Sequence, residues 1–277
     1  MYSKAFAPAN ISCIFKIYKH KNPRWMGSYG VGFTLNEGVI AEASRAKRNG
    51  IVFNNVSINL PTVSNLIKKL TKEKVRIYIK SKLPLGCGFG LSGASALAAA
   101  YAANDLLGLK KSKKELAIMA HTAEVENNTG LGDVVNQFYG GFCIKLKPSS
   151  YFVVNKIDSD NTAVYCRHFS KISTKSVITD PEIKVKINNA ADDSMNEIQQ
   201  LLKNNKTLKF KSIIKISKGF ALNSGLLKDK KTIETIKSIE KNNGNASMIM
   251  LGNAVFSDKP FKGSSEFKIS GKGACLI

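Results

Sequence analysis

Alternation of apolar and polar residues predicts β-strands in the first third of the chain. Residues 5–18, 31–46 and 75–84 alternate in this way and are rich in β-branched and aromatic side chains, as half-buried strands are. Residues 64–73 have helical spacing instead. A turn-rich loop at 20–30 separates the first two strands and carries the only tryptophan.

Two helical segments follow in the middle of the chain. An alanine-rich segment runs from the glycines near residue 90 to Gly108, where we expect the helix to stop. A second helix is predicted over 112–128, because Ser112 and Glu115 have the spacing of a capping box. Residues 129–133 form a glycine-bearing loop, and 134–146 are predicted as a short helix or turn followed by a strand.

Beyond about residue 150 the pattern changes. We predict strands at 151–157 and 182–188, polar helices near 192–204, 207–222 and 230–242, and closing strands at 247–257 and 266–277. The fold class is therefore α+β. We place an N-terminal domain at residues 1–160 and a smaller C-terminal α+β domain at residues 161–277.

The chain is strongly basic. Its 42 Lys and Arg residues outnumber 20 Asp and Glu residues, so the formal net charge is +22. Such an excess attracts anions. Most of it is lysine, spread along the chain and densest in polar helical segments such as 228–241, which favours solvated helix faces. No basic stripe interleaved with aromatic residues and no nucleic-acid motif is visible, so no nucleic-acid partner is expected.

Cysteine usage and the lack of targeting signals predict a cytoplasmic protein. The five cysteines are scattered and never spaced C-x-x-C, which favours reduced thiols over a disulfide framework or a zinc site. The N-terminus has no apolar signal-peptide core. The alanine run is the longest uncharged apolar window, and alanine is too weakly apolar for a membrane span, so no membrane partner is expected.

The segment PLGCGFGLSGASALAAAYAAN at 84–104 raises the question of a nucleotide site. Gly88, Gly90 and Gly93 satisfy the dinucleotide pattern G-x-G-x-x-G, but that fold needs a second strand ending in an acid. Here Asp105 lies inside the alanine helix and another helix follows. The Walker A pattern fails as well, because no lysine follows these glycines.

The glycines can nonetheless form a phosphate-binding loop. Gly86, Gly88, Gly90 and Gly93 lack the Cβ atoms that would keep a polyphosphate from the backbone. They lead into a helix whose N-terminal N–H groups favour an anion. Ser92 adds a hydroxyl for a phosphate oxygen or a metal. The alternative is a tightly packed turn that binds no ligand.

Three segments resemble the GHMP kinases, the superfamily of galactokinase, homoserine kinase and mevalonate kinase. Residues Pro84–Ala94 resemble its phosphate-binding signature, AFAPANISCIF its acceptor-lining first strand, and EVENNTGLGDVVNQFYGG its metal glutamate and aspartate loop. Within the superfamily, the chain is most similar to the archaeal pantoate kinases. Gly93, where most GHMP kinases have alanine, favours that branch.

The resemblance implies a two-domain GHMP kinase fold with ATP in the cleft between the domains, and Mg²⁺ as the metal. Ser92 and Glu124 would bind the metal, with Glu126 as the alternative carboxylate. Asp133 would be the catalytic residue beside the acceptor hydroxyl. The residues implied in ATP binding are Pro84, Gly86, Gly88, Gly90, Leu91, Ser92, Gly93 and Ala94.

The acceptor implied by the resemblance is pantoate, phosphorylated on its terminal hydroxyl to 4-phosphopantoate on the route to coenzyme A. Another small alcohol, such as homoserine, shikimate or a mevalonate derivative, is an alternative. A basic nucleic-acid-binding protein without catalysis is a third. The candidate substrate-binding residues are Asn10, Ser12, Arg24, Gly27 and Ser28.

Several positions are left with open interpretations. Arg24 is either a clamp for the acceptor carboxylate or a surface residue, and Asn10 stands where many GHMP kinases have a cation. His121 is interpreted as a core or surface residue. The C-terminal glycine motif corresponds to Ser247–Ser257, or alternatively to Ser270–Gly273. The family also suggests a homodimer.

Overall fold

A computed structural model describes residues 1–203 and 208–277. Two sheets organise this part of the chain. The strands of the first sheet are β1 (Tyr2–Tyr18), β2 (Gly27–Arg45), β3 (Gly50–Phe53), β4 (Val56–Ser57), β5 (Val75–Lys80), β6 (Phe142–Lys145), β7 (Asn155–Ile157) and β12 (Cys275–Leu276). They follow the order β12-β1-β2-β5-β3-β4, and β6 extends the sheet from β2 and in turn pairs with β7.

The three N-terminal strands predicted from alternation are confirmed. β1 and β2 form a long antiparallel pair, from Tyr2 opposite Ser44 to Tyr18 opposite Gly27. β5 pairs with β2 and alternates strictly between buried and exposed positions. One face of the sheet is therefore in the core, and the other carries the polar positions.

Four helices pack around the buried side of the first sheet: α1 (Pro61–Leu70), α2 (Leu91–Leu107), α3 (Lys113–Glu126) and α4 (Asp133–Tyr139). Almost every residue of the alanine helix α2 is buried, because its small side chains let it approach β1 and β2 closely. It ends at Gly108 in the left-handed conformation, as predicted. The capping box of α3 is also confirmed, with reciprocal Ser112 and Glu115 hydrogen bonds.

The second sheet is antiparallel and contains β8 (Ala163–Lys171), β9 (Ala246–Met248), β10 (Gly252–Ser257) and β11 (Ser265–Lys268). The strand order is β11-β8-β10-β9. The helices in the same part of the chain are α5 (Thr174–Thr179), α6 (Pro181–Lys203), α7 (Phe210–Asn223) and α8 (Lys230–Lys241).

The strand predicted at 182–188 is wrong, because these residues belong to α6. The alternating isoleucines and valine suggested a strand, yet Val185 is 60% exposed while Ile187 is fully buried. The buried positions continue at Ala190, Ala191, Ser194 and Ile198, which is helical spacing. The predicted helix end at residue 204 and helix start at residue 207 lie outside the described residues.

Smaller differences concern the ends of the C-terminal strands. The strand predicted over 151–157 is confined to Asn155–Ile157 and follows a short 3₁₀ turn at Ser149–Tyr151. The segment predicted at 247–257 consists of two strands, β9 and β10, with a turn between them. The segment at 266–277 likewise separates into β11 and β12.

The two sheets share one hydrophobic core. Phe33 of β2 stacks on Phe142 with centroids 5.5 Å apart and meets Phe256 of the second sheet edge-on at 5.6 Å. The C-terminal strand β12 returns to pair with β1, so the last residues complete the first sheet. In the described ranges, each helix is too short or too polar to span a bilayer.

Candidate active site

One cavity collects residues from both halves of the chain. From the first half it is lined by Ser12, Phe15 and Ser28, by the glycine loop and by the start of α2. From the second half come Thr174 and Ile178 of α5, together with Met250 and Leu251. The sequence predictions that fall on its lining are Ser12, Ser28, Gly86, Gly88, Gly90, Leu91, Ser92 and Asp133.

The glycine loop joins β5 to α2, and its backbone geometry requires glycine. Gly88 has φ of +86°, and a Cβ there would lie 2.9 Å from the Met250 carbonyl oxygen. α2 begins after Gly90 without a side-chain cap, so its first N–H groups are free to face an anion in the cavity. Pro84 precedes the loop, and Ala94 is buried in the helix.

Asp133 is held at the cavity by a network from distant strands. The Asn10 amide donates to Asp133 Oδ1 at 2.7 Å, and the Ser12 hydroxyl donates to the same oxygen at 3.1 Å. Asn136 in turn donates to Asn10 Oδ1 at 2.9 Å. Among the described residues Asp133 Oδ2 receives no hydrogen bond, which leaves it available to a ligand. This arrangement orients one carboxylate oxygen and presents the other.

Lys145 lines the cavity and could not be recognised from the sequence pattern alone. It ends β6, is 3% exposed, lines the cavity, and donates to Asn136 Oδ1 at 3.0 Å. Burial lowers the pKa of the Lys145 ammonium, and the nearby charge of Asp133 opposes that shift. Burial raises the pKa of Asp133, whereas Lys145, Asn10 and Ser12 lower it. A lysine in a four-residue strand that is otherwise apolar was the available signal.

Glu124 and Glu126 face opposite directions from α3. Glu124 is 1% exposed, and its Oε2 is buried without a hydrogen-bond partner in the described part of the chain. Glu126 is exposed and pairs with Lys69. Burial is the main cause that raises the pKa of Glu124 well above its usual range, and the charge of Asp133 adds to it.

A chain of hydroxyl groups joins Glu124 to the start of α2. The Ser92 hydroxyl donates to Thr62 at 3.2 Å, Thr62 and Thr129 share a hydrogen bond of 2.8 Å, and Thr129 reaches Glu124 Oε1 at 3.5 Å. A buried carboxylate oxygen without a partner needs a proton or a cation. The oxygen donors of Ser92 and Glu124 therefore fit a hard divalent cation such as Mg²⁺.

Gly93 and Gln137 explain how closely these groups are packed. A Cβ on Gly93 would lie 2.7 Å from Glu124 Oε2 and 2.9 Å from Gln137 Oε1. Gln137 is fully buried on α4, one turn after Asp133, and donates to the Gly90 carbonyl at 2.8 Å. Gly93 therefore does not line the cavity, but its missing side chain leaves room for the Glu124 carboxylate.

Arg24 and Gly27 lie outside the cavity lining. The Arg24 guanidinium donates to the Ser150 carbonyl at 3.0 Å and covers the Trp25 ring at 4.5 Å. A Cβ on Gly27 would collide with Ser149 Oγ, which accepts from the Ser28 backbone N–H. The role of Arg24 and Gly27 in acceptor binding stays a prediction. His121 is fully buried and bonds the Met26 carbonyl at 2.8 Å, in keeping with a core role.

The two candidates for the C-terminal glycine motif occupy different places. Gly252 packs directly on the glycine loop, where a Cβ would lie 2.1 Å from the Cys87 carbonyl oxygen. Gly273 instead contacts the Phe138 carbonyl at the far end of α4. The segment Ser247–Ser257 is thus the one beside the cavity.

Comparison with known proteins identifies the family. The model of the GHMP kinases N-terminal domain matches residues 59–141. The pantoate kinase of Methanocaldococcus jannaschii is 37% identical over 91% of this chain and 90% of its own length. The chain belongs to the GHMP kinase family. A second relative of this GHMP kinase, the pantoate kinase of Methanospirillum hungatei, is 31% identical over 91% of this chain and 86% of its own length.

A solved structure shows the same fold. A phosphotransferase related to the coenzyme A biosynthesis pathway superposes with a TM-score of 0.85 and 24% identity, covering 100% of this chain and 99% of its own. The two-domain GHMP kinase fold expected from the resemblance is thereby confirmed. The domain boundary near residue 160 stays a prediction.

Proposed function

We propose that this GHMP kinase transfers the γ-phosphoryl group of ATP to the terminal hydroxyl of pantoate, giving 4-phosphopantoate for coenzyme A synthesis. The observation that carries the proposal is the meeting of Asp133 and Lys145 in a cavity edged by the glycine loop. The similarity to the pantoate kinases of Methanocaldococcus jannaschii and Methanospirillum hungatei supports pantoate as the acceptor.

The nucleotide phosphates would lie against the glycine loop and the N-terminus of α2. There the backbone N–H groups and the helix dipole favour negative charge. Ser92 and Glu124 would hold Mg²⁺, which when bound neutralises charge on the phosphates. The missing side chain at Gly93 leaves Glu124 the space to reach that position.

Asp133 would act on the acceptor hydroxyl. Its Oδ1 is held by Asn10 and Ser12, which leaves Oδ2 for the acceptor hydroxyl in the cavity that Asp133 lines. A carboxylate in that position can accept the hydroxyl proton, and its pKa, raised by burial, makes it a stronger base than an exposed aspartate. Asn10 would therefore orient the Asp133 carboxylate, and it would not replace the cation that many GHMP kinases have at this position.

Lys145 would bind the acceptor carboxylate. It is a buried cation in the cavity wall. An anionic substrate would stabilise the ammonium group, whose charged form burial disfavours. Homoserine carries an ammonium group as well, which would need a further carboxylate beyond Asp133 and Glu124. This charge pattern favours a hydroxy acid without an ammonium group.

Three broader expectations extend the proposal. We propose that the enzyme works in the cytoplasm, that it forms a homodimer, and that its domains divide near residue 160. All three rest on the composition or the family resemblance described above.

A non-catalytic role for this cavity is disfavoured by its carboxylates. Glu124 and Asp133 lie beside the glycine loop, and negative charges there are unfavourable in a site built only to bind anions.

Coupled measurement of ADP release with ATP and Mg²⁺ tests the function. We expect turnover with pantoate and far less with homoserine, shikimate or mevalonate. Asp133→Asn keeps the shape and should lower kcat by at least about a hundredfold. Turnover with homoserine or mevalonate but none with pantoate would refute the substrate, and full activity of Asp133→Asn would refute the assigned role.

A further inference from the structure

The outer face of the first sheet is open to solvent. β1, β2 and β5 present alternate residues there, in three cross-strand rows set by the register. Tyr2 is 61% exposed, Ile40 41% and Tyr78 37%, whereas their strand neighbours Ala41 and Ile77 are in the core. We name this surface the open face. Its rows are Tyr2, Ser44 and Arg76; Lys4, Glu42 and Tyr78; and Phe6, Ile40 and Lys80.

Aromatic rings and cations are interleaved on the open face. Lys4 Nζ lies 4.7 Å from the centre of the Tyr2 ring, and Lys272 Nζ lies 5.6 Å from that of Phe6. Two depressions flank Tyr78: one is lined with Phe6 and Lys80, the other with Arg76 and Tyr78 itself. None of these residues lines the active-site cavity.

The charge of the open face is strongly positive. Its carboxylates are already matched, because Glu42 pairs with Lys4, Glu37 with Lys82 and Glu73 with Arg45. In residues 1–203 and 208–277, no carboxylate lies within 4.0 Å of five further cationic groups on this face or at its margin. These groups belong to Lys47, Arg48, Arg76, Lys80 and Lys272.

This chemistry selects one kind of partner. A second copy of the chain meeting the same face would oppose two positive surfaces, which is unfavourable in a two-fold contact. Exposed rings on a sheet, flanked by cations, suit unpaired bases that stack and phosphates that pair. We propose that the open face binds single-stranded nucleic acid, independently of the kinase site.

The arrangement also explains why the sequence predicted no such partner. Tyr2, Lys4 and Phe6 are separated along the chain from Arg76, Tyr78 and Lys80 by some seventy positions. Only the antiparallel pairing of β1 with β2 and of β2 with β5 brings them together. No continuous basic stripe is needed.

Fluorescence anisotropy with the full chain and a labelled oligouridine RNA of about 12 nucleotides tests the proposal. Tyr78→Thr removes a ring but keeps a good strand former, and we expect about tenfold weaker binding. Arg76→Gln with Lys80→Gln should weaken binding and flatten its salt dependence. The matched control, Lys231→Gln with Lys237→Gln on exposed positions of α8, removes the same charge and should change affinity less than about twofold.

Thermal melting establishes that each variant is folded, and Tyr2→Ser replaces Tyr78→Thr if the latter unfolds. Equal weakening by the open-face and α8 variants would overturn the proposal, because binding would then follow net charge alone. No binding of RNA by the wild-type chain at about 0.15 M salt would also overturn it. So would binding only to phosphatidylserine vesicles, or a dimer that Tyr78→Thr dissociates.

Discussion

Gln137 donates a hydrogen bond of 2.8 Å to the carbonyl oxygen of Gly90. The bond joins α4, which begins at Asp133, to the loop that precedes Ser92. The same side chain is fully buried and makes no other contact that would require an amide among the described residues. The Gln137 side chain therefore links the residues proposed to bind phosphate to the helix that carries the proposed base, and Asn10 adds a second link through Phe89 and Asp133.

Replacing Gln137 should affect the nucleotide more than the acceptor. In Gln137→Leu the Gly90 carbonyl keeps the Ala94 N–H as a donor but loses its link to α4. We expect the KM for ATP to rise about tenfold while the KM for pantoate changes little. Steady-state kinetics with each substrate varied in turn measures this. Asn188→Leu is the control, because Asn188 also bonds the backbone, at Ile17, and neither residue lines the cavity. Equal changes in both KM values would contradict the prediction.

Lys145 should set the acceptor affinity and the acid limb of the pH profile. Lys145→Met removes the cation that lowers the pKa of Asp133, so that pKa should rise further. We expect the KM for pantoate to increase by at least about tenfold, and the loss of kcat/KM on acidification to begin at higher pH. Lys145→Arg keeps the charge and should retain part of the activity. An unchanged pH profile in Lys145→Met would show that Lys145 does not act on Asp133.

Adding one methyl group at Gly93 should raise the Mg²⁺ concentration that the enzyme requires. The Cβ in Gly93→Ala would lie 2.7 Å from Glu124 Oε2, so the carboxylate must move. We expect the Mg²⁺ concentration for half-maximal activity to rise severalfold while the KM for pantoate stays near its wild-type value. Gly219→Ala, at an open helix position with no atom within 4 Å of its Cβ, serves as the control. Unchanged Mg²⁺ dependence in Gly93→Ala would contradict the assigned role of Glu124.

The parts of the site that lie in local motifs could be predicted from the sequence. Ser92, Glu124 and Asp133 each stand in a short pattern whose residue types match the chemistry. Lys145 and Gln137 could not be recognised in this way, because their roles depend on burial and on which strands pair. Arg24 was a candidate anion clamp or a surface residue, and the structure adds that its guanidinium donates to Ser150 and covers Trp25. Its role in acceptor binding stays a prediction.

Elements of the fold with a strong local signal could also be predicted from the sequence. Strict alternation in β5 and the Ser112–Glu115 capping box were sufficient to predict a strand and the start of a helix. α6 was misread because Ile183, Val185 and Ile187 alternate over a short window. Only the longer series of buried positions to Ile198 distinguishes the helix from a strand.

His121 should make the fold sensitive to acid. Burial lowers the pKa of His121 from its ordinary 6.5 to about 4, so the folded state keeps the ring neutral. As the pH falls from 6.5 towards 4 the unfolded state takes up the proton first, and stability is lost by roughly 3 kcal/mol. Thermal melting against pH should show this dependence reduced in His121→Gln but not in a variant of the exposed His20. Identical pH dependence in His121→Gln and wild type would contradict it.

Transfer of phosphate to the terminal hydroxyl of pantoate can be tested by identifying the phosphorylated carbon of the product. Proton-coupled ³¹P NMR of a reaction with ATP, Mg²⁺ and pantoate distinguishes the two hydroxyls, because the terminal one is on a methylene group. We expect a new phosphomonoester signal split by two protons, formed by the wild-type enzyme and nearly absent with Asp133→Asn. A signal split by a single proton, or no pantoate-dependent phosphoester, would contradict it.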